Sequence, residues 1–243
     1  MNITPLTRPV FNSRVKKLEK YATQAEAIQR DVLKHLISQA SNTEWGIKHN
    51  YCDIKQYEQF AKSVGVQDYE TLKHDIDRMR RGEKDVLWKG GCKWFAKSSG
   101  TTNDKSKFIP VTPAGLQRAH YKGGFDVVAM YLGNNPKSRL FSGKALILGG
   151  SHAPNYNLQN SLVGDLSSIL IENCSPFVNM MRVPKKEIAL LSDFEEKMDK
   201  IARSTFDKNI TNISGVAPAS LTAFALSNSQ FVPGNTGIRT LGF

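Results

Sequence analysis

A hydroxyl-rich segment with a central glycine, placed between two strand-like runs, most constrains the structures open to this chain. The flanking runs are Cys-Lys-Trp-Phe-Ala at 92–96 and Phe-Ile-Pro-Val at 108–111, both short and apolar. The segment between them holds Ser98, Ser99, Gly100, Thr101, Thr102, Lys105 and Lys107. Glycine admits an anion to backbone N–H groups, hydroxyls donate to phosphate oxygens, and lysine supplies positive charge. The composition therefore suits a loop that holds a polyphosphate.

The same segment also has a purely structural interpretation. Clusters of Ser, Gly, Thr, Asn and Asp between strands are most often hairpin turns. The segment does not contain the Walker A motif, which is a glycine, four further residues and then Gly-Lys-Ser or Gly-Lys-Thr. It does not contain a dinucleotide-binding fingerprint either. Residue types alone leave the phosphate loop and the plain turn both open.

Apolar periodicity predicts helices on both sides of this segment. Residues 13–40 predict one long amphipathic helix, with Ser13 as its N-cap. Thr112 and Pro113 mark another helix start, since threonine caps and proline favours the first helical position. The glycines at 123–124 lie inside that helix, where each costs about 1 kcal/mol relative to alanine.

A shorter helix is predicted after Asp68, with Gly82 as the residue just beyond its end. Arg78, Arg80 and Arg81 lie near that end, where the helix dipole favours cations. The dipole explains these arginines at least as well as a ligand site does. Residues 86–88 then predict a short strand.

The second half of the chain predicts further alternation of strands and helices. Residues 144–148 form a buried-strand pattern ending in Gly-Gly-Ser-His at 149–152, a common place for a binding loop in α/β proteins. From this pattern, His152 could have either a structural or a catalytic role. Periodicity predicts helices over 162–171 and 188–206 and a strand over 209–216.

Composition narrows the class of protein. No run of about 18 apolar residues suggests a membrane span, and the N-terminus lacks a signal-peptide pattern. The three cysteines, Cys52, Cys92 and Cys174, are widely spaced, which suits a reducing cytoplasm and neither disulfides nor zinc. The net charge of +11 is spread along the chain without a nucleic-acid motif. We expect a cytoplasmic protein whose partner is an anionic small molecule, rather than nucleic acid or a membrane.

The string Phe-Ala-Lys-Ser-Ser-Gly-Thr-Thr-Asn-Asp-Lys-Ser-Lys-Phe-Ile-Pro at 95–110 resembles the first nucleotide motif of a known family. Supporting strings lie at 67–70, 82–84, 146–151 and 212–216. Together they resemble bacterial relatives of the plant auxin-responsive (Gretchen Hagen type) acyl-acid amido synthetases, which are acyl-adenylate-forming enzymes. The resemblance implies an α/β fold: the N-terminal part of the large domain of an adenylate-forming enzyme, incomplete, with a mixed β-sheet flanked by helices.

The resemblance also implies a chemistry. Such a ligase uses ATP and Mg²⁺ to convert a carboxylic acid into an acyl-adenylate, which an amine or amino acid then attacks. It gives Lys107 the catalytic role, and the nucleotide phosphates are expected at Ser98, Ser99, Gly100, Thr101, Thr102 and Lys105. No complete metal site is visible in residues 1–216.

The sequence departs from the family pattern in two places. Asp104 and Ser106 stand where many members have glycine and proline, and an Ala-Pro-Ala string at 217–219 replaces Pro-Ser-Trp. Residues 217–243 carry almost no charge and are typical of a disordered or frameshifted tail. We therefore expect 1–216 to be the N-terminal portion of an adenylation domain in a truncated chain. The alternative is a non-catalytic remnant that binds nucleotide weakly or only folds.

Overall fold

A computed structural model describes residues 2–98 and 106–215, with only the backbone of Asn155. The contacts divide the chain into two compact units. The hairpin unit comprises residues 14–126 and 153–163, and the parallel-sheet unit comprises the described parts of 1–13, 127–152 and 164–243. Our predictions for the tail at 217–243 lie outside the described residues.

The described residues form helices and short strands that alternate along much of the chain. The helices are α1 (Thr4–Glu19), α2 (Tyr21–Ala40), α3 (Glu44–Lys48), α4 (Tyr57–Ser63), α5 (Tyr69–Arg80), α6 (Pro113–Gly115), α7 (Lys122–Asn134), α8 (Leu166–Glu172), α9 (Pro176–Met181), α10 (Lys186–Ala189) and α11 (Phe194–Thr205). The strands are β1 (Trp94–Lys97), β2 (Phe108–Val111), β3 (Lys144–Leu148), β4 (Leu162–Gly164), β5 (Arg182–Val183) and β6 (Ile210–Gly215). Short 3-10 turns cover Tyr51–Asp53, Leu140–Ser142 and Pro154–Tyr156.

The prediction of one helix over 13–40 is wrong. Helix α1 ends at Glu19, α2 begins at Tyr21, and Gln24 inside α2 has non-helical dihedrals of φ −126° and ψ 21°. Ser13 lies inside α1 rather than at its start. Apolar periodicity continues across the break because it reports which face is buried, and neither glycine nor proline marks the interruption.

The predicted signals at both ends of α5 are confirmed. The Thr71 N–H donates to the Asp68 carboxylate at 2.8 Å, and the Asp68 N–H donates to the Thr71 hydroxyl at 3.1 Å. Gly82 follows the helix with a φ of +97°, which is the left-handed region that favours glycine. The inner face of α5 buries Ile76 and Met79 in the core of the hairpin unit.

Residues 86–88 do not form the predicted strand. Their backbone pairs instead with the start of α3, where the Trp45 N–H donates to the Val86 carbonyl at 3.0 Å. The Val86 side chain is 1% exposed and belongs to the same core as Phe95 and Val163. An apolar run can therefore be buried as a loop, without strand pairing, when the free N–H groups at a helix start donate to its carbonyl groups.

The sheet of the hairpin unit has the order β2-β1-β4. Strands β1 and β2 are antiparallel, with Trp94 opposite Val111 and Lys97 opposite Phe108. The predicted helix over 162–171 is only partly correct, because its first residues form β4 and α8 begins at Leu166. The Leu162 N–H donates to the Lys93 carbonyl at 2.7 Å, so the first residues of that apolar run belong to the sheet.

The helix predicted at Thr112 starts where expected. The Gly115 N–H donates to the Thr112 hydroxyl at 3.0 Å, with Pro113 in the first turn. A π-helical segment, Leu116–Tyr121, then separates α6 from α7. The glycines at 123–124 follow this wider turn, and nothing lies within 4 Å of a side chain placed at either of them.

The parallel-sheet unit is built around β3, with β5 and β6 parallel to it on either side. Its core contains Leu146, Leu148, Val183, Met198, Ile201 and Ile213. The helix predicted over 188–206 is two helices, because the Asp193 carboxylate accepts the Glu196 N–H at 2.7 Å and starts α11 afresh. The strand predicted near 209–216 is confirmed as β6.

The α/β prediction is confirmed, and within 2–98 and 106–215 each unit has a three-stranded sheet, in place of a single sheet. None of the helices within 2–98 and 106–215 has the length and apolar character needed to cross a membrane.

Candidate functional site

The base of the β1–β2 hairpin brings two predicted site residues together. The Ser98 N–H donates to the Lys107 carbonyl at 2.9 Å, and the Lys107 N–H donates to the Ser98 hydroxyl at 3.2 Å. These contacts continue the strand pairing by one step, so the chain leaves and re-enters the hairpin at adjacent positions. The other predicted phosphate-binding residues, Ser99, Gly100, Thr101, Thr102 and Lys105, lie outside the described residues.

The start of α5 lies against this hairpin base. The Lys107 ammonium lies 5.6 Å from the centre of the Tyr69 ring, and the Phe108 N–H donates to the Tyr69 hydroxyl at 3.0 Å. The Thr71 N–H holds the pKa of the Asp68 carboxyl below its usual value, and the Lys107 charge acts in the same direction. Sequence reasoning placed a helix start here but did not identify Tyr69 as a neighbour of Lys107.

Two cations stack on a pair of neighbouring aromatic rings at the hairpin base. The Arg80 guanidinium lies 3.8 Å from the centre of the Phe108 ring, and the Lys97 ammonium lies 3.9 Å from the centre of the Tyr156 ring. The two rings are 5.7 Å apart, and Arg80 also donates to the Tyr156 carbonyl at 3.1 Å. The aromatic faces orient both cations. Arg80 also donates to the Asp77 carboxylate at 3.5 Å, so part of its charge is offset.

Arg78 has a structural role that differs from the dipole explanation. It donates to the Glu44 and Glu83 carboxylates at 2.7 Å each and to Asp75 at 3.3 Å. These contacts raise the pKa of Arg78 above its ordinary value, with the hydrogen bond to Glu44 as the largest cause. With carboxylates on its donors, Arg78 is poorly placed to bind a phosphate.

The glycine pair after β3 forms a second polar cluster, within the parallel-sheet unit. A side chain at Gly150 would approach the Asp165 carboxylate to 2.1 Å, so only glycine fits there. Beyond the turn, the His152 imidazole lies 4.0 Å from the Glu172 carboxylate, which also pairs with Lys186 at 2.9 Å. This arrangement is compatible with the structural interpretation of His152.

The Mg²⁺ implied by the family resemblance would need oxygen ligands. In the part of the chain that the structure describes, no three His, Cys, Asp or Glu side chains are grouped to hold a metal ion. Magnesium prefers carboxylate oxygens in near-octahedral geometry. The described residues therefore offer no site that would hold the ion by protein side chains alone, and we derive no step through the ion.

Comparison with known proteins relates the chain to plant amido synthetases. It is 27% identical over 130 residues to the indole-3-acetic acid-amido synthetase GH3.4 of Arabidopsis thaliana, covering 53% of this chain and 22% of that protein. It is 35% identical over 107 residues to the indole-3-acetic acid-amido synthetase GH3.17 of the same plant, covering 43% and 17%. A 4-substituted benzoates-glutamate ligase, GH3.12, also from Arabidopsis thaliana, is 29% identical over 107 residues, covering 42% and 18%.

The fold has a solved counterpart, and the family follows from a sequence profile. The structure of the GH3.15 acyl acid amido synthetase superposes with a TM-score of 0.71 at 20% identity, covering 90% of this chain and 39% of that chain. The present chain thus spans well under half of the proteins that it matches. The profile described as "GH3 family N-terminal domain" matches residues 14–223. The chain therefore belongs to the GH3 family.

Proposed function

We propose that this chain carries the nucleotide-phosphate part of an ATP-dependent acyl-acid ligase. In the proposed reaction, a carboxylate attacks the α-phosphate of ATP, which gives an acyl-adenylate and releases pyrophosphate. An amino acid then attacks the acyl carbon, forming an amide and releasing AMP. The observation that carries the proposal is the pairing of Ser98 with Lys107 at the base of the hydroxyl-rich segment.

The hairpin would act by positioning and by electrostatic stabilisation. Lys107 would offset the charge that develops on the leaving pyrophosphate, and Ser98 would keep the segment closed beside it. The hydroxyls and N–H groups of Ser99, Gly100, Thr101 and Thr102, with the Lys105 ammonium, would orient the phosphate oxygens. Lys97, held on the Tyr156 ring, would add positive potential near the same place.

The proposed substrates are a small carboxylic acid and an amino acid. The names of the relatives refer to indole-3-acetic acid and to 4-substituted benzoates joined to glutamate, and GH3.15 has been solved in complex with 2,4-DB. We propose ATP with Mg²⁺ as cosubstrate, a cytoplasmic location, and no nucleic-acid or membrane partner. A place among bacterial members stays a prediction, and the relatives named above are plant proteins.

A second candidate function is that these 243 residues bind nucleotide weakly or only fold. The coverage of only 39% of the GH3.15 structure favours it for the isolated chain. We propose that 1–216 is the N-terminal portion of an adenylation domain and that 217–243 is an atypical tail. Carboxylate-dependent exchange of pyrophosphate into ATP by the purified chain would exclude this second candidate.

Lys107→Ala tests the proposed role of the hairpin. We expect the variant to lower the ATP–pyrophosphate exchange rate by about 10²-fold, because it removes a charge next to the leaving group. If the isolated chain does not exchange, calorimetric titration with ATP and Mg²⁺ should show nucleotide affinity reduced by about tenfold.

Lys62→Ala is the matched control, since Lys62 is an exposed lysine on α4. Equal exchange rates and equal nucleotide affinities for the two variants would contradict the assignment of Lys107.

A further inference from the structure

Tyr156 lies on a short segment of the hairpin unit to which the proposed reaction gives no role of its own. The segment spans 153–163, and its last residues begin β4, which pairs with β1. Its own hydrogen bonds brace it, since the Ala153 N–H donates to the Val163 carbonyl at 2.9 Å and the Val163 N–H donates to the Asn157 side-chain carbonyl at 2.7 Å. Tyr156 is therefore carried on a loop that is held by internal contacts.

The same segment is tied to the end of α5 at two points. The Arg80 guanidinium donates to the Tyr156 carbonyl at 3.1 Å, and the Asn160 side-chain amide donates to the Arg81 carbonyl at 3.2 Å. A side chain at Gly82 would approach the Asn160 side chain to 2.8 Å, so the two residues are in close contact. The backbone of Tyr156 is thus placed by α5 as well as by the pairing of β4 with β1.

The ring of Tyr156 contacts one residue from each strand of the β1–β2 hairpin. Its centre lies 5.7 Å from the centre of the Phe108 ring and 3.9 Å from the Lys97 ammonium. Lys97 and Phe108 are directly opposite each other in the strand pairing, so their side chains lie on the same face. Packing against Phe108 keeps the Tyr156 ring in place, and the ring in turn restricts the Lys97 side chain.

Lys97 differs from Arg78 and Arg80 in the partners of its charge. Carboxylates accept hydrogen bonds from both arginines, whereas none of the ion pairs within 2–98 and 106–215 includes Lys97. Among the described contacts, its ammonium could therefore meet a phosphate without first leaving a carboxylate.

The position of Lys97 brings this charge to the hydroxyl-rich segment. Lys97 is the last residue of β1 and directly precedes Ser98, which pairs with Lys107 across the hairpin base. The two lysines therefore stand at the base of the same segment, one held on Tyr156 and the other near Tyr69. A free lysine side chain loses rotamer freedom when a ligand fixes it, and a ring that orders the side chain beforehand lowers this cost of binding.

We propose that Tyr156 is a positioning residue that orders the Lys97 ammonium for contact with the β- and γ-phosphates of ATP, which leave as pyrophosphate. This proposal rests on the ligase function proposed above. It assigns Tyr156 no contact with the reacting atoms, because its ring lies against Lys97 and Phe108.

Tyr156→Leu and Tyr156→Phe test whether the aromatic ring is responsible. In calorimetric titration of the full chain with inorganic pyrophosphate and Mg²⁺, and then with ATP and Mg²⁺, Tyr156→Leu should bind each about threefold more weakly, because the cation–π contact is lost. Tyr156→Phe should retain most of the affinity, since phenylalanine keeps the ring. AMP lacks the β- and γ-phosphates, so its affinity should be the same in all three chains.

Tyr57→Leu is the matched control, because Tyr57 is 65% exposed on α4 and its loss should leave pyrophosphate affinity unchanged. A merely structural role of Tyr156 would weaken AMP binding as much as pyrophosphate binding, and that result would overturn the proposal. Unchanged pyrophosphate affinity in Tyr156→Leu, or an equal loss in Tyr156→Phe, would contradict it as well.

The placement of Lys97 has a measurement that needs no ligand. In NMR spectra of the chain with ¹³C-labelled lysine, assigned by comparison with Lys97→Met, the Tyr156 ring current should shift the Lys97 ε-methylene protons upfield. Tyr156→Leu should return them to the values of an exposed lysine such as Lys62. Absence of the upfield shift in the wild type, or the same signals in Tyr156→Leu, would rule out the positioning role.

Failure of the ligase proposal would be seen separately. If the wild-type chain binds neither ATP nor pyrophosphate, the phosphate contact of Lys97 fails together with the ligase proposal, and the lysine signals alone decide whether Tyr156 orders Lys97. If Tyr156→Leu does not fold, Lys97→Met should weaken pyrophosphate and ATP binding by at least about threefold and leave AMP binding unchanged. Wild-type affinity for pyrophosphate in Lys97→Met would then overturn the proposal.

Discussion

At the scale of single residues, the hairpin base shows how Lys107 is held. Its backbone pairs with Ser98, and its ammonium lies near the Tyr69 ring from the start of α5. The Tyr69 hydroxyl also accepts the Phe108 N–H, next to Lys107 in sequence. Tyr69 therefore links α5 to β2, the strand that begins directly after the proposed catalytic lysine.

Tyr69→Phe should weaken that link without removing the ring. The part-buried Phe108 N–H would lose its acceptor, and we expect the free energy of unfolding to fall by about 1 kcal/mol. Urea denaturation followed by fluorescence measures this change. Tyr57→Phe is the control, because Tyr57 is 65% exposed, and a loss of the same size there would contradict the role of the Tyr69 hydroxyl.

At the scale of elements, the sequence signals that succeeded are local. The capping residues Asp68 and Thr112 and the terminating Gly82 mark helix ends in the structure as predicted. The failures are over 13–40, 86–88 and 188–206, where apolar runs continue through a helix break or a loop. Caps act within one turn of chain, whereas a break between helices is decided by what each helix packs against.

The glycines in α7 allow a prediction of increased stability. Gly123→Ala and Gly124→Ala should each raise the free energy of unfolding by about 0.5–1 kcal/mol, because alanine favours the helix and nothing lies within 4 Å of the new methyl group. Thermal denaturation measures the effect.

Gly46→Ala is the contrasting variant in that experiment. Its methyl group would approach the Ala40 carbonyl oxygen to 2.0 Å, so we expect a lower melting temperature. Lower melting temperatures for the variants at 123–124 would show that these glycines are needed for packing after all.

The ion pair of Arg14 on α1 with Asp126 on α7 predicts a pH dependence. Two hydrogen bonds of 2.6 and 2.8 Å join them, and the Arg14 guanidinium lowers the pKa of the Asp126 carboxyl. A carboxyl whose pKa is lower in the folded state stabilises the fold above its unfolded value of about 3.9, and this contribution is lost as pH falls through the folded pKa.

Asp126→Asn should therefore reduce stability by about 1 kcal/mol at neutral pH, with a difference from wild type that shrinks below about pH 4. Urea midpoints at several pH values measure it. Asp199→Asn, in an exposed pair with Arg203, is the control with little expected effect. A constant difference across the pH range would contradict the ionic origin.

At the scale of the whole molecule, each of the two units is built from segments that are not continuous in the sequence. Residues 153–163 belong to the hairpin unit, although the segments on both sides of them belong to the parallel-sheet unit. Strand β4 begins in this segment and pairs with β1, which lies much earlier in the sequence. This return explains why the apolar run beginning at Leu162 was assigned wholly to a helix, since the partner that makes it a strand is distant in sequence.

The sequence by itself determined the α/β class, the hairpin, the main helix caps and the family, which the GH3 profile over 14–223 confirms. Each of these features depends on residues that are close in sequence, so it can be predicted from the sequence alone. The tertiary structure alone decided that Tyr69 and Tyr156 would lie beside the cations of the hairpin base. It also decided that Lys197, outwardly an ordinary lysine of an amphipathic helix, would be buried against the turn after β3. Such contacts arise because burial of apolar faces brings distant elements together, and no local pattern specifies which polar groups then meet.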